Sequence, residues 1–430
     1  MRRFGLDRLL RPLADVRPGE ALTALLLTAN VFLILTAYYL LKVAREPLIL
    51  LGGGAEVKSY ASLGQTILLV FVSSAYGWLA SRTSRLALVM GVTIFFVVDL
   101  LVFVALGARG WAIGVPFYLW VGIFNIVTIA QFWSFAADTY SNEQGKRLFP
   151  IVGIGSSAGA VGGAWLAAPI VAHGTPVTLM LVAAFVILVA LGLTIWVHFR
   201  EGASAHVQEH ESIPPGNAFV LVAKDPYLLT FAALALLLNF VTKTGDYVID
   251  RELLATAPAK AHALGLTQVA YIAQFKAHYF GYINMIGVVT QLVIVSRVIK
   301  LVGVRATLTI IPALSLLAYG VAVVAPVMVI ILVGRVLESS IDYSLSNTVQ
   351  QTLWLPVSRE AKYKGKQVID AFCRRAGDAL SAGAVWVGAH ATTSTRSFVA
   401  INVVASIAWL VFAAKLGGMY RARGGEEVST

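Results

Sequence analysis

The sequence predicts an all-α polytopic membrane protein, with about twelve transmembrane helices in two six-helix halves. Three observations carry this expectation. Of 430 residues, 58% are hydrophobic and only 13% charged, and the mean hydropathy is +0.79, outside the range of soluble domains. The apolar residues fall in continuous runs of the length a helix needs to cross a bilayer, about 20 residues, rather than in the short alternating segments of a membrane β-barrel. Third, the longest interior polar segment, Arg200 to Asp225, falls near the middle of the chain and divides those runs evenly.

Taken in order, the runs are Ala21–Leu41, Tyr60–Ala80, Leu86–Leu106, Ile113–Ala137, Phe149–Val171 and Pro176–Phe199, then Leu228–Ile249, Phe275–Ser296, Ala306–Val323, Val327–Ser346, Val368–His390 and Phe398–Leu416. Each is apolar enough to satisfy its backbone within a helix in lipid, where no water is available. The domain division that follows is 1–199, a linker at 200–227, and 228–430. In the linker, His206 and His210 with Glu209 and Glu211 have a possible metal spacing, but loop histidines are ordinarily solvated, and no metal or cofactor is expected. The fifth run repeats Gly155, Gly159 and Gly163 every four residues, a smooth face for close helix approach. It lacks the Lys-Ser/Thr of a phosphate-binding glycine loop, since Ala164 and Trp165 follow.

The net charge of +11 invites a nucleic-acid reading, but the positive charge is placed as topology requires. With the N-terminus inside, Arg2, Arg3, Arg8, Arg11, Arg82, Arg85, Lys146, Arg147, Arg297, Lys300, Lys362, Lys364, Arg421 and Arg423 all fall in inner segments, whereas the outer loops are poor in bases. This bias predicts both termini on the cytoplasmic side, and it excludes nucleic acid as the partner. Cys373 is the only cysteine, so no intramolecular disulfide is possible. Ala21–Leu41 is too long for the core of a cleaved signal peptide and is expected to stay in the membrane.

Charges inside the runs point to function, because ionisable groups in hydrocarbon are retained mainly where they face a wet cavity or one another. Arg335, Glu338 and Asp342 are spaced by three and four in the tenth run. Lys366, Asp370, Arg374 and Asp378 are spaced by four in the eleventh, alternating in sign along one stripe. Lys42 and Arg45 close the first run, and Asn239 and Lys243 lie one turn apart in the seventh. Asp99, deep in the third, needs a basic partner or a proton. The bland reading of the first and eleventh groups is an ordinary interfacial helix end, with snorkelling bases; for the tenth it is a structural salt-bridge network. The functional reading is a polar transport pathway. An enzyme is not expected, because no nucleophile–base or metal-ligand spacing survives inspection.

A weak internal echo supports duplication: the basic loop Ser141 to Arg147 follows the fourth run, and Ser358 to Lys366 follows the tenth. Two related six-helix halves around a central site match the major facilitator architecture by analogy. Three motifs go further. Tyr39-Leu40-Leu41-Lys42-Val43-Ala44-Arg45-Glu46, the segment from Phe132 through Asp138 to Pro150, and Lys364-Gly365-Lys366-Gln367-Val368-Ile369-Asp370 together resemble the nucleotide transporter (ATP/ADP translocase) family. The resemblance implies a twelve-helix carrier exchanging nucleotides or related phosphate anions, with Lys42, Asp138 and Lys366 at positions important for transport. Asp138 stands where the family has glutamate, and Thr242 stands where its seventh-helix glutamate is expected.

The expected function is therefore secondary transport by alternating access in a bacterial inner membrane, with a small anionic solute such as ATP or ADP as partner. The substrate residues would be Lys42, Arg45, Asp138, Asn239, Lys243, Arg335, Glu338, Asp342, Lys366, Asp370 and Arg374. The alternatives are a proton- or cation-coupled carrier of another solute, with Asp99 or Glu338 taking the proton, and a membrane scaffold that transports nothing.

Overall fold

The computed structural model describes residues 16–17, 19–201, 218–324, 328–358 and 361–424. The His206–His210 spacing and the extreme basic N-terminus lie outside the described residues. Every regular element among the described residues is helical. They are α1 (Ala21–Ala80), α2 (Arg85–Ala108), α3 (Gly114–Thr139), α4 (Asn142–His173), α5 (Pro176–Glu201), α6 (Ala218–Lys224), α7 (Pro226–Ala263), α8 (Gln268–Val289), α9 (Val295–Val324), α10 (Met328–Ile341), α11 (Asn347–Thr352), α12 (Arg374–His390) and α13 (Thr395–Ala422). Nine helical stretches among them are long and apolar enough to cross a membrane. Large apolar side chains such as Phe71, Phe185, Leu292 and Leu317 are exposed on these helices, as lipid-facing surfaces require.

A straight helix of 60 residues would be about 90 Å long at 1.5 Å per residue, far more than one bilayer. α1 is instead broken at Gly54, whose φ of 81° with ψ of 178° is a conformation that only glycine adopts cheaply. Residues 21–53 and 55–80 thus form two spans. The first continues twelve residues beyond the Leu41 end expected from sequence, so Lys42, Arg45 and Glu46 lie within the helix. Gly303, with φ 75° and ψ 170°, breaks α9 in the same way. α8 begins at Gln268 rather than at the expected Phe275. Four π-helical stretches interrupt the later helices: Thr290–Ile294, Asp342–Ser346, Ala361–Gly365 and Val368–Cys373.

The described residues form two compact units. The first takes in those up to Gly53, those from Gly64 to the end of α5, and Ala257–Gly281. The second takes in Gly54–Leu63, those from α6 through Thr256, and those from Tyr282 onward.

In the first unit, the core joins α1, α2, α3, α4, α5 and the start of α8. Trp120 is its centre, stacked between Phe117 and Phe124 at ring separations of 5.8 and 5.5 Å. The glycine stripe of α4 lies against α1. A Cβ at Gly155, Gly159 or Gly163 would overlap the backbone carbonyl of Thr28, Phe32 or Thr36 respectively, so the four-residue repeat on one helix reads the four-residue repeat on the other. A capping box, in which Ser141 and Gln144 bond each other's backbone N–H, starts α4. At the same end, the Arg147 guanidinium donates to both Glu20 carboxylate oxygens at 2.9 and 3.0 Å. In the second unit, α9 packs along α13 and against α10, and Gly377 meets the α7 backbone at Leu236 and Phe240 so closely that no side chain fits.

Candidate functional site

Each unit buries a cluster of charge. In the first, the face of α1 that carries Lys42 and, one turn on, Glu46 meets the face of α8 that carries Phe280 and, one turn back, Lys276. The Lys42 ammonium lies 4.1 Å from the Phe280 ring centre, 5.0 Å from Tyr39 and 5.8 Å from Tyr38. This is the aromatic cage geometry that stabilises an ammonium. Glu46 is 1% exposed and reaches Lys276 at 3.5 Å and Arg45 at 3.4 Å. Lys276 is 3% exposed and Arg45 9%, and the Arg45 guanidinium lies over the Tyr118 ring at 4.4 Å. Three bases therefore gather around one carboxylate. Lys276 and Arg45 both face the Glu46 carboxylate, and Lys42 lies one turn before it on α1.

The second unit's cluster is built on α7, α10 and the π-helical turns. Arg335 is 2% exposed and pairs with Asp246 at 2.6 Å and Glu338 at 2.8 Å. The Thr242 hydroxyl lies 3.4 Å from the same Glu338 carboxylate, whose second oxygen is buried with no hydrogen-bond partner among the described residues. Thr242 is the position at which the resemblance leads one to expect a glutamate; here α10 supplies a carboxylate to that place. Lys243 lies within electrostatic reach of Asp246 and Asp378. Asp342 accepts from Ser346 and lies within reach of Arg374 and Glu338. Arg374 pairs with Asp370 at 3.5 Å and donates to Gln350. The acids Asp246, Glu338, Asp342, Asp370 and Asp378 offset Lys243, Arg335, Arg374 and Arg375.

The remaining sequence-predicted residues are placed as follows. Lys366 donates to Gln351 at 2.8 Å. Asn239 donates to Ala235 O of its own helix at 3.0 Å. Asp138, at the end of α3, is ion-paired to Arg85 at the start of α2. Asp99 accepts from the Trp120 indole N–H at 3.2 Å, so this deep carboxyl has a neutral donor rather than a base. Within the first unit the structure thus joins Lys42 to Arg45, and within the second it joins Arg335, Glu338, Asp342, Asp370 and Arg374.

Lys276 and Glu46 were missed as site residues, and so was Gln350. The signal for Lys276 was present, as a lysine one residue inside an apolar run. An apolar run that begins at Phe275 places Lys276 at a span end; the helix starts two turns earlier and buries it.

No protein-family model matches the chain. The ADP,ATP carrier protein 1 of Chlamydia pneumoniae is 23% identical to it over 363 residues, 73% of this chain and 68% of that protein. This agrees with the resemblance read from the motifs. Among solved structures, the nucleoside transporter NupG matches with a TM-score of 0.65 at 12% identity, covering 94% of this chain and 100% of that one. A POT family transporter in complex with 5-aminolevulinic acid matches at 0.64 and 11%, covering 90% and 96%. A bacterial homologue of the iron transporter ferroportin matches at 0.63 and 14%, covering 92% and 98%. The fold is the all-α fold shared with these membrane transporters, as the sequence predicts.

Proposed function

We propose that the protein is a secondary transporter that exchanges nucleotides or related phosphate-bearing anions by alternating access, in a bacterial inner membrane and with both termini cytoplasmic. The observation that carries this reading is the base-rich cluster of Lys42, Arg45 and Lys276, the last two buried, in a chain related to an ADP,ATP carrier. Removing an ion from water costs several kcal/mol, on the order of the effective penalty in real proteins, unless a partner compensates it. A cluster rich in bases within the helical bundle is therefore suited to an anion. A phosphate group meets that demand through short charge-assisted hydrogen bonds, with the planar Arg45 fork suited to two oxygens at once.

The same electrostatics favours exchange over free uniport. An empty carrier would change conformation with its bases uncompensated, whereas a loaded one would not. In the second unit, Lys243, Arg335, Lys366, Arg374 and Asn239 are further candidate substrate contacts, with Glu338, Asp342 and Asp370 among the acids that hold the bases in place. Asp138 acts at a distance from these clusters, through its pairing with Arg85. The two six-helix halves, divided at 200–227, are the moving bodies in this reading.

The test is counter-exchange in vesicles. Protein reconstituted with ADP inside is expected to take up labelled ATP, and Lys42→Ala and Lys366→Ala are expected to cut that uptake while the purified variants keep their melting temperature. Uptake that runs equally fast into vesicles lacking internal nucleotide contradicts exchange. Transport of uncharged solutes alone contradicts the anion reading.

A further inference from the structure

We infer that the first unit carries a further binding site, sharing no residue with its basic cluster, for a long-chain amphiphile whose head sets an O–H beside a carbonyl, as a neutral fatty acid or a glycerol monoester does. The site is a pocket among α1, α2, α3 and α5. It holds about 420 Å³ of empty space with its open mouth counted, against the roughly 30 Å³ that one water occupies in the liquid. Every helix gives it apolar wall: Ile34 on α1, Val89 on α2, Phe132 on α3 and Leu191 on α5. Gln131 on α3 lines it too and is only 5% exposed. Neither its Nε2 nor its Oε1 has a hydrogen-bond partner among the described residues. Buried amides are nearly always hydrogen-bonded in folded proteins, and a polar group set in an apolar pocket is how small-molecule sites fix a ligand's orientation. The wall opposite is held firm: Asn30 donates to the Thr194 hydroxyl at 2.6 Å and to Ala190 O at 3.2 Å, tying α1 to α5.

Depth and hydrogen-bonding chemistry select the ligand. Gln131 lies eight residues before the Thr139 end of α3, and Thr93, also lining the pocket, eight residues after the Arg85 start of α2. The Arg85–Asp138 pair joins those two ends, so both side chains sit about 12 Å in from one end of the unit. Helices of 24 and 26 residues exceed a hydrocarbon core of about 30 Å by only a few ångströms at each end, which places Gln131 inside the hydrocarbon. A phospholipid head stays at the interface above that level, whereas a small uncharged head reaches it. A carboxylate there is costly, so a fatty acid enters in its neutral form. The glutamine amide both donates and accepts. An ester carbonyl alone answers Nε2–H and leaves Oε1 unpaired. An acid, or a glycerol hydroxyl beside its ester, answers both: the ligand carbonyl accepts from Nε2, and the ligand O–H donates to Oε1. The chain gains little by exchanging lipid for apolar wall, so selectivity rests on this amide.

The experiment measures binding of oleic acid, monoolein and methyl oleate to the full-length protein in lipid nanodiscs, by native mass spectrometry and thermal stabilisation. Oleic acid, monoolein or both are expected to bind saturably at one molecule per chain. Methyl oleate, which keeps the chain and carbonyl but lacks the O–H, is expected to bind roughly tenfold more weakly. Gln131→Leu is expected to weaken the acid or the monoester by about the same factor and to leave methyl oleate unchanged. It replaces an unpaired buried amide by an apolar group, so its melting temperature should equal or exceed the wild-type value. Gln131→Met, unbranched like glutamine, is the second variant, with the same expectation should the leucine pack badly. Binding of oleic acid alone assigns the head as an acid, and binding of monoolein alone assigns a glycerol ester; each upholds the site. Equal affinity for methyl oleate, wild-type affinity in a folded Gln131 variant, or no saturable binding of either amphiphile overturns it and leaves the amide to water. Each of these results is independent of nucleotide exchange, which the Lys42 and Lys366 variants test.

Discussion

In the first unit, three bases gather around a single carboxylate on helices that run without a wide turn; in the second, Arg335 is clamped between Asp246 and Glu338, on helices broken by π-helical stretches. The first arrangement is rich in bases; the second interleaves acids and bases, with Arg335 held by two carboxylates. The difference separates two uses of buried charge that look alike in a sequence. A compensated network mainly fixes structure, and removing one member strands the others. A base-rich cluster is suited to binding, and removing a half-buried member such as Lys42 should lower affinity with less effect on folding. The π-helical stretches lie where Asp342 and Asp370 lie, and such wide turns recur at functional sites, so the second unit also has local freedom to re-aim its acids.

The largest expected effect is at Arg335. Arg335→Ala removes the shared partner of Asp246 and Glu338 and should destabilise the protein by about 3–5 kcal/mol, the cost of breaking a buried pair. Thermal melting or the yield of monodisperse protein reads it directly. Near wild-type stability would show that the second cluster is not a structural network.

Next is the scaffold of the first unit. At Gly159 a Cβ would overlap the Phe32 backbone, which cannot move aside, whereas at Gly162 it would make ordinary contact with the Phe32 ring, 3.6 Å away. Gly159→Ala should therefore cost about 1–3 kcal/mol, in the range for overpacking, and Gly162→Ala much less. Equal melting temperatures for the two variants would mean that the α1–α4 contact does not hold the base-rich cluster in place.

Lys42→Ala should do the reverse of Arg335→Ala. It should weaken nucleotide binding roughly tenfold, about 1.4 kcal/mol, and leave the melting temperature almost unchanged, because Lys42 is only half-buried. A large loss of stability without loss of affinity would erase the contrast between the units.

The smallest effect is at the entry to α1. Burial acts to raise the Glu20 carboxyl, but the Arg147 guanidinium, the Arg17 backbone N–H and the Gln144 amide outweigh it and hold the group below its usual 4.5. Its stabilisation is therefore fully present above that value and is lost as pH falls through the lower folded value. Glu20→Gln should cost less than about 1 kcal/mol at pH 7, as for a partly exposed pair. The difference from wild type should shrink below pH 4.5; a difference that grows on acidification would reverse the sign of this account.

Much of the fold was legible because its signals are local. Continuous apolar runs mark spans, and the Gly155–Gly159–Gly163 repeat marks a close helix contact. Arg335 and Glu338 announced themselves as charges at helical spacing within an apolar run. What was hidden depended on helix ends and helix type. Lys42, Arg45 and Glu46 read as an outer boundary because charges lower local hydropathy, although the helix continues to the Gly54 kink. Lys276 was lost to the same cause at the other partner helix. The stripe of Lys366, Asp370, Arg374 and Asp378 assumes α-helical periodicity throughout, but Val368–Cys373 is π-helical, so the four do not keep a common register even though Asp370 still reaches Arg374 at 3.5 Å. Pairings between distant segments, such as Glu46 with Lys276 or Thr242 with Glu338, have no signature in one sequence.

The proposal to be tested is that the first unit's base-rich cluster binds anionic phosphate. The most direct measurement is the affinity of purified protein for adenosine, AMP, ADP and ATP, in the wild type and in Lys42→Ala. The account predicts no measurable binding of adenosine, affinity that rises with phosphate charge, and a flattened rise in Lys42→Ala. Equal affinity for adenosine and ATP, or a rise that Lys42→Ala leaves intact, would contradict it.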